Sequence, residues 1–137
     1  MIISIYTDGG ARGNPGHSGA GVVVFNQDQI IFQQSQYLGI KTNNEAEYTA
    51  LINALNWLLA QKEILDITKV NFFLDSQLIV RQVQGIYKVK APHLKEYYQK
   101  VQDLIKLINI PLEFKDIPRE QNTVADKLAN EAMDRKI

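Results

Sequence analysis

Four carboxylates stand where apolar runs give way to turns or helix starts: Asp8 after IISIYT, Glu47 within NNEAEYTAL, Asp75 after VNFFL and Asp126 within NTVADKLA. Taken singly, each has an ordinary explanation. Asp8 precedes Gly9-Gly10 and suits a turn, Asp75 suits the cap of a following helix, and Asp126 completes a Thr123-x-x-Asp126 capping pattern. Glu47 is harder to dismiss, because Leu51, Ala54 and Leu58 follow it at helical spacing and put its carboxylate at the head of a buried stripe. An unpaired carboxylate there is costly and calls for a partner or a metal. The alternative is escape to solvent in the first helical turn, where negative charge suits the dipole, but Glu45 fits that role better. Together the four acids offer hard oxygen ligands, in a chain with no cysteine and no histidine pair at ligand spacing. Such ligands select Mg²⁺ or Mn²⁺ and commonly serve phosphoryl chemistry. Two cations a few ångströms apart would let one activate a water and the other stabilise the leaving oxygen, so phosphodiester cleavage is the leading reaction class.

The elements that must position these acids follow from periodicity. Residues 2–8 are β-branched and aromatic and stop at Gly9-Gly10, which reads as a strand ending in a turn, followed by a loop over ARGNPGHSG. GVVVF and IIFQQSQYL, split by Asn26-Gln27-Asp28, read as a hairpin. From Thr42 to about Gln61 the spacing changes to that of a helix opened by a Thr42-x-x-Glu45 capping box. VNFFLD is a fourth strand, SQLIVRQVQ a short helix stopped at Gly85, residues 93–108 an amphipathic helix ended before Pro111, LEFKDI a fifth strand, and Thr123 the start of a last helix. The order βββαβααβα predicts an α/β fold, a mixed five-stranded sheet with helices on its faces, in one domain spanning 1–137. If strands one and four are parallel neighbours, Asp8 and Asp75 emerge at one edge of the sheet, where such folds place ligands.

Bulk properties set limits. The chain has 137 residues, 45% hydrophobic and 22% charged, with no apolar run long enough for a membrane-spanning helix. The start MIISIYTDGG lacks the pattern of an export signal, so the expectation is a cytoplasmic protein without membrane association. The absence of cysteine excludes a disulfide framework, a thiolate nucleophile and a Cys-based zinc site. Fifteen Lys and Arg against fifteen Asp and Glu argue against a general nucleic-acid binder. With four carboxylates committed to cations, the balance becomes fifteen positive against eleven negative.

The segments YTDGGARGNPG, TNNEAEYTAL, FFLDSQLIVRQV and PREQNTVADKLANEA resemble, in order, the four signature segments of type 1 ribonucleases H, and they spread from residue 6 to residue 132. The resemblance implies an endonuclease that cuts the RNA strand of an RNA–DNA hybrid, leaving 5′-phosphate and 3′-hydroxyl ends, with water as nucleophile. It implies two Mg²⁺ or Mn²⁺ ions held by Asp8, Glu47, Asp75 and Asp126, with Glu47 also reaching a ribose 2′-hydroxyl. Asn14, Asn43, Asn44 and Gln77 fall where the family grips the two strands. Two of these have ordinary readings beside it, Asn14 as a turn residue and Asn43 as a contributor to the helix cap. The expected partner is an RNA–DNA hybrid, with double-stranded RNA left open, and the expected state is a monomer.

The sequence departs from the family pattern in two places. Many relatives carry a mobile histidine ten residues before the last aspartate, where this chain has Asp116; Arg119 and Glu120 stand in the loop instead, Arg119 either contacting a phosphate or solvated. His17 and His93 match no family position and read as exposed loop or helix-start residues. The basic protrusion of some relatives is replaced by the short GIYKVKAPHLK, where Lys88, Lys90, Lys95 and Tyr87 offer a smaller patch. An asparagine used by some relatives for a DNA-phosphate pocket falls near Ala91, leaving Thr42 and Lys41 to contribute. Weaker, more salt-sensitive hybrid binding is expected. The rival readings are an inactive nucleic-acid-binding module of the same fold, a strand-transferring integrase or transposase core, and the ribonuclease portion of a reverse transcriptase. The intact acids argue against the first and the wording of the segments against the second. The start at Met1 and end at Ile137 lead to the expectation of a free-standing protein.

Overall fold

The computed structural model describes residues 1–137 as β1 (Ile2–Arg12), β2 (Gly16–Asn26), β3 (Gln29–Lys41), α1 (Asn43–Gln61), β4 (Lys69–Leu74), α2 (Gln77–Val83), α3 (Pro92–Ile108), β5 (Leu112–Asp116), a 3₁₀ turn (Arg119–Gln121) and α4 (Thr123–Arg135). The five strands form one sheet in the order β3-β2-β1-β4-β5. β1 and β2, and β2 and β3, pair antiparallel; β1 and β4, and β4 and β5, pair parallel. The mixed sheet with helices is thus the fold the sequence pattern predicts, in the same element order.

Strand alternation divides the core between the two faces of the sheet. Ile3, Ile5, Val22 and Val24 join α1, α2 and α3 in a cluster of 21 buried residues, whereas Val23 faces the other way onto Ala125 and Leu128 of α4. α1 is buried almost all round, since it lies between the sheet and α3. Its Leu51, Leu55 and Leu58 are fully buried, each contributing about 1.5–3 kcal/mol relative to exposure. The Thr42 capping box forms as read: Thr42 Oγ1 accepts from Glu45 N at 3.1 Å, and Glu45 Oε1 accepts from Thr42 N at 3.0 Å.

Three local readings are corrected. β1 does not stop at Asp8 but runs to Arg12, and β2 begins at Gly16, so only residues 13–15 remain of the expected loop. Gly9 is there for close approach: a Cβ on it would lie 2.2 Å from Ala46 O of α1. Gly21 allows the same approach by α4, with Ala125 O 2.3 Å from its notional Cβ. The Thr123-x-x-Asp126 box does not form, because the N-cap of α4 is Asn122, which makes no side-chain capping bond. His17 is exposed as expected, but it sits in β2, with Nδ1 2.6 Å from Tyr37 Oη of β3.

Candidate active site

Asp8 and Asp75 are brought together by the ladder between β1 and β4. Its last rung is Thr7↔Leu74, so the two acids follow at the same level of neighbouring parallel strands. Beyond it β4 turns into α2, whose cap is Ser76 and not Asp75, with Ser76 Oγ accepting from Ile79 N at 3.3 Å. β1 continues in contact with β2 alone, Asp8 pairing with Gly21. Glu47 enters from α1, and its Oε1 accepts a hydrogen bond from Gly9 N at 2.6 Å. Bare space at Gly9 is therefore what lets the helix bring this carboxylate onto the strand.

Carboxylate oxygens of Asp8, Glu47 and Asp75 all lie within 4.8 Å of one another. Asp8 is 8% exposed and Glu47 7%. Asp126 of α4 lies beside this trio at the rim, its side chain 29% exposed and its Oδ1 3.3 Å from the Arg119 guanidinium. Burial is the main cause that pushes the Asp8 carboxyl up from 3.8 to about 7, reinforced by the charge of Asp75. Burial, then the charges of Asp8 and Asp75, hold Glu47 well above the ordinary range, with the Gly9 N–H opposing. Asp75 is raised by burial, against the Asn122 amide and the Arg119 guanidinium. A buried group of carboxylates that repel one another is a site that binds positive charge. Oxygen-only donors at this spacing fit hard divalent cations such as Mg²⁺.

The acids floor a cleft of about 530 Å³ that Asn43, Asn44, Arg119, Arg12, Ser76 and Asn130 also line. Asn14, Thr42 and Gln77 lie outside its lining. Asn14 Oδ1 accepts from Asn43 N at 3.0 Å, and Asn43 Oδ1 accepts from Ala11 N at 2.8 Å, so this pair fastens the β1–β2 turn to the head of α1. Thr42 is committed to its cap, and Gln77 is exposed at the first residue of α2. Asp116, in the place of the family histidine, ends β5 with the Arg81 guanidinium 3.8 Å away. Tyr87, Lys88 and Lys95 line a second, separate depression with Ile86 and Tyr98.

Sequence reasoning missed three contributors. Asn130 was detectable, standing one helical turn after Asp126, to whose carbonyl its Nδ2 donates at 2.9 Å. Arg12, in the stretch expected to be loop, bonds Asp134 at 2.6 Å and Asn130 at 3.2 Å across to α4. Asn122 carries no sequence signal of its role.

The family model described as "Reverse transcriptase-like" matches residues 6–132. Among curated proteins, the bifunctional protein Rv2228c of Mycobacterium tuberculosis is 40% identical over 98% of this chain and 36% of its own length. The chain thus spans about a third of the length of these mycobacterial relatives. Among solved structures, LC11-RNase H1, from compost, in complex with an RNA/DNA hybrid is 48% identical, covering 97% of each chain with a TM-score of 0.91. RNase H1 from the archaeon Halobacterium salinarum is 32% identical over 98% of this chain and 99% of its own, with a TM-score of 0.88.

Proposed function

The chain belongs to the ribonuclease H family, and from that premise we propose that residues 1–137 form a single catalytic domain that hydrolyses the RNA strand of RNA–DNA hybrids. The observation that carries this reading is the cluster of three carboxylates within 4.8 Å of one another, two of them buried, with a fourth at its rim. Asp8, Glu47, Asp75 and Asp126 would hold two Mg²⁺ or Mn²⁺ ions. Bound there, the cations supply the positive charge that activates a water and stabilises the departing oxygen, leaving 5′-phosphate and 3′-hydroxyl ends.

The protein's own groups do the positioning. The Gly9 N–H fixes one oxygen of Glu47, leaving the other for the cleft and, in this reading, for a ribose 2′-hydroxyl. Asn43, Asn44 and Arg119 present donors along the cleft wall to phosphate and sugar oxygens. Arg119 is free to do so, its side chain being 76% exposed and held only to Asp126. All four acids come from one copy of the chain, which supports a monomeric catalyst.

The test is incubation with a labelled RNA–DNA hybrid of about a dozen base pairs or more, in Mg²⁺ and separately in Mn²⁺, beside single-stranded RNA, double-stranded RNA and the Asp8→Asn variant. Cleavage of the hybridised RNA strand that disappears in the variant is the expected result. Retained hybrid binding with no cleavage in either metal would replace this reading with that of an inactive binding module.

A further inference from the structure

Asn122 is 1% exposed and occupies the N-cap position of α4 without capping it. Asparagine is favoured at that position because its side-chain oxygen can accept from a first-turn N–H. Here the side chain is turned the other way. Its Nδ2 donates to Thr7 O at 2.9 Å, a contact between residues 115 apart in sequence, at the last rung of the β1–β4 ladder and immediately before Asp8. Its Oδ1 is the single buried side-chain polar atom with no partner. Thus Asn122 gives up a helix cap and leaves an acceptor unsatisfied, both of which weaken the fold. A local choice that disagrees with local stability is the mark of a position set by function.

We propose that Asn122 is a positioning residue for the metal-binding acids: its amide ties the strand residue before Asp8 to the start of the helix that carries Asp126. Asp8 and Asp126 come from elements remote in sequence, and the Asn122 side chain links the strand that carries the first to the N-terminus of the helix that carries the second. Groups one layer behind the ligands typically change metal affinity or activity by about 10–100-fold when removed. The inference rests on the ribonuclease reading, since it concerns the same four acids.

The experiment compares the wild-type protein with Asn122→Ser and Asn122→Asp. Serine is a good N-cap that cannot reach Thr7 O, whereas aspartate keeps the shape and loses the amide donor. Mg²⁺ affinity is measured by calorimetry, cleavage of the hybrid by kcat and KM, and folding by thermal melting. The expected result is a folded Asn122→Ser protein with Mg²⁺ affinity and kcat both reduced about tenfold or more and an unchanged KM for the hybrid. In the wild-type protein, the Asn122 side-chain amide resonance should shift on Mg²⁺ titration while those of the distant Asn26 and Asn109 stay still. This readout needs no variant to fold. An unmoved resonance, or wild-type Mg²⁺ affinity and kcat in either folded variant, overturns the assignment. A wild-type protein that neither binds Mg²⁺ nor cleaves removes the ribonuclease reading and this inference with it, whereas an active wild type beside an equally active Asn122→Ser removes the inference alone.

Discussion

Replacing Asp8 by asparagine should destroy metal binding and yet stabilise the metal-free protein. With its carboxyl raised from 3.8 to about 7, Asp8 is disfavoured in its ionised form in the fold. At about 1.4 kcal/mol per tenfold change in proton affinity, the penalty approaches about 4 kcal/mol at neutral pH. Asparagine keeps the shape and removes the charge, so a gain of about 2–4 kcal/mol is expected at pH 8. The native state holds a proton that the unfolded chain releases between pH 3.8 and about 7, so the wild-type unfolding free energy falls as pH rises through that window. Above about pH 7 the penalty is complete; near pH 3 the carboxyl is neutral in both states and the variant's advantage should vanish. Urea unfolding followed by circular dichroism at pH 3, 5.5 and 8, with and without 10 mM Mg²⁺ (about the scale that loads a weak site), measures all of this. Mg²⁺ should stabilise the wild type and leave Asp8→Asn unchanged. An Asp8→Asn protein no more stable than wild type at pH 8, or a gain that is the same at pH 3, would refute the account of buried, mutually repelling acids.

Three further perturbations test the supports of the site. Gly9→Ala puts a Cβ 2.2 Å from Ala46 O, so α1 must move off β1 and the Gly9–Glu47 bond must stretch; a loss of about 1–3 kcal/mol in denaturant unfolding is expected, together with weaker Mg²⁺ binding. Tyr48→Phe removes the 2.6 Å bond from Tyr48 Oη to the buried Gln82 Oε1, leaving that acceptor unsatisfied at a cost of about 1–3 kcal/mol, and Tyr48→Phe with Gln82→Met should recover most of it in the same assay. Glu45→Ala loses the capping box and the Tyr97 Oη contact, for about 0.5–2 kcal/mol in thermal or urea unfolding. The Thr42 backbone N–H holds the Glu45 carboxyl below its usual range, so its contribution is present above the ordinary glutamate range and fades as pH falls through the lowered value; the cost of Glu45→Ala should shrink in acid.

Whatever depends on near neighbours along the chain is legible in the order of residues alone. The strand and helix order, the Thr42–Glu45 box and the amphipathic α3 follow from periods of two and 3.6 residues and from capping chemistry, which are local properties. The hard-oxygen character of Asp8, Glu47, Asp75 and Asp126 was legible too, because the chain offers no cysteine and no histidine pair to compete with them. Which residues meet across the chain depends on how the sheet and helices pack. The parallel rung Thr7↔Leu74 sets Asp8 beside Asp75 across almost half the chain, and no period in the sequence encodes that pairing. Gly9-Gly10 reads as a turn locally, yet β1 runs on through it, since Gly9 is needed to admit Ala46 O of a helix some forty residues away. Asn43 reads as a contributor to the helix cap and Asn122 carries no signal at all, yet the fold spends their side chains on Ala11 N and Thr7 O. In each case the deciding partner is a backbone atom of a remote element, whose position is fixed only when the sheet has closed and the helices have packed against it.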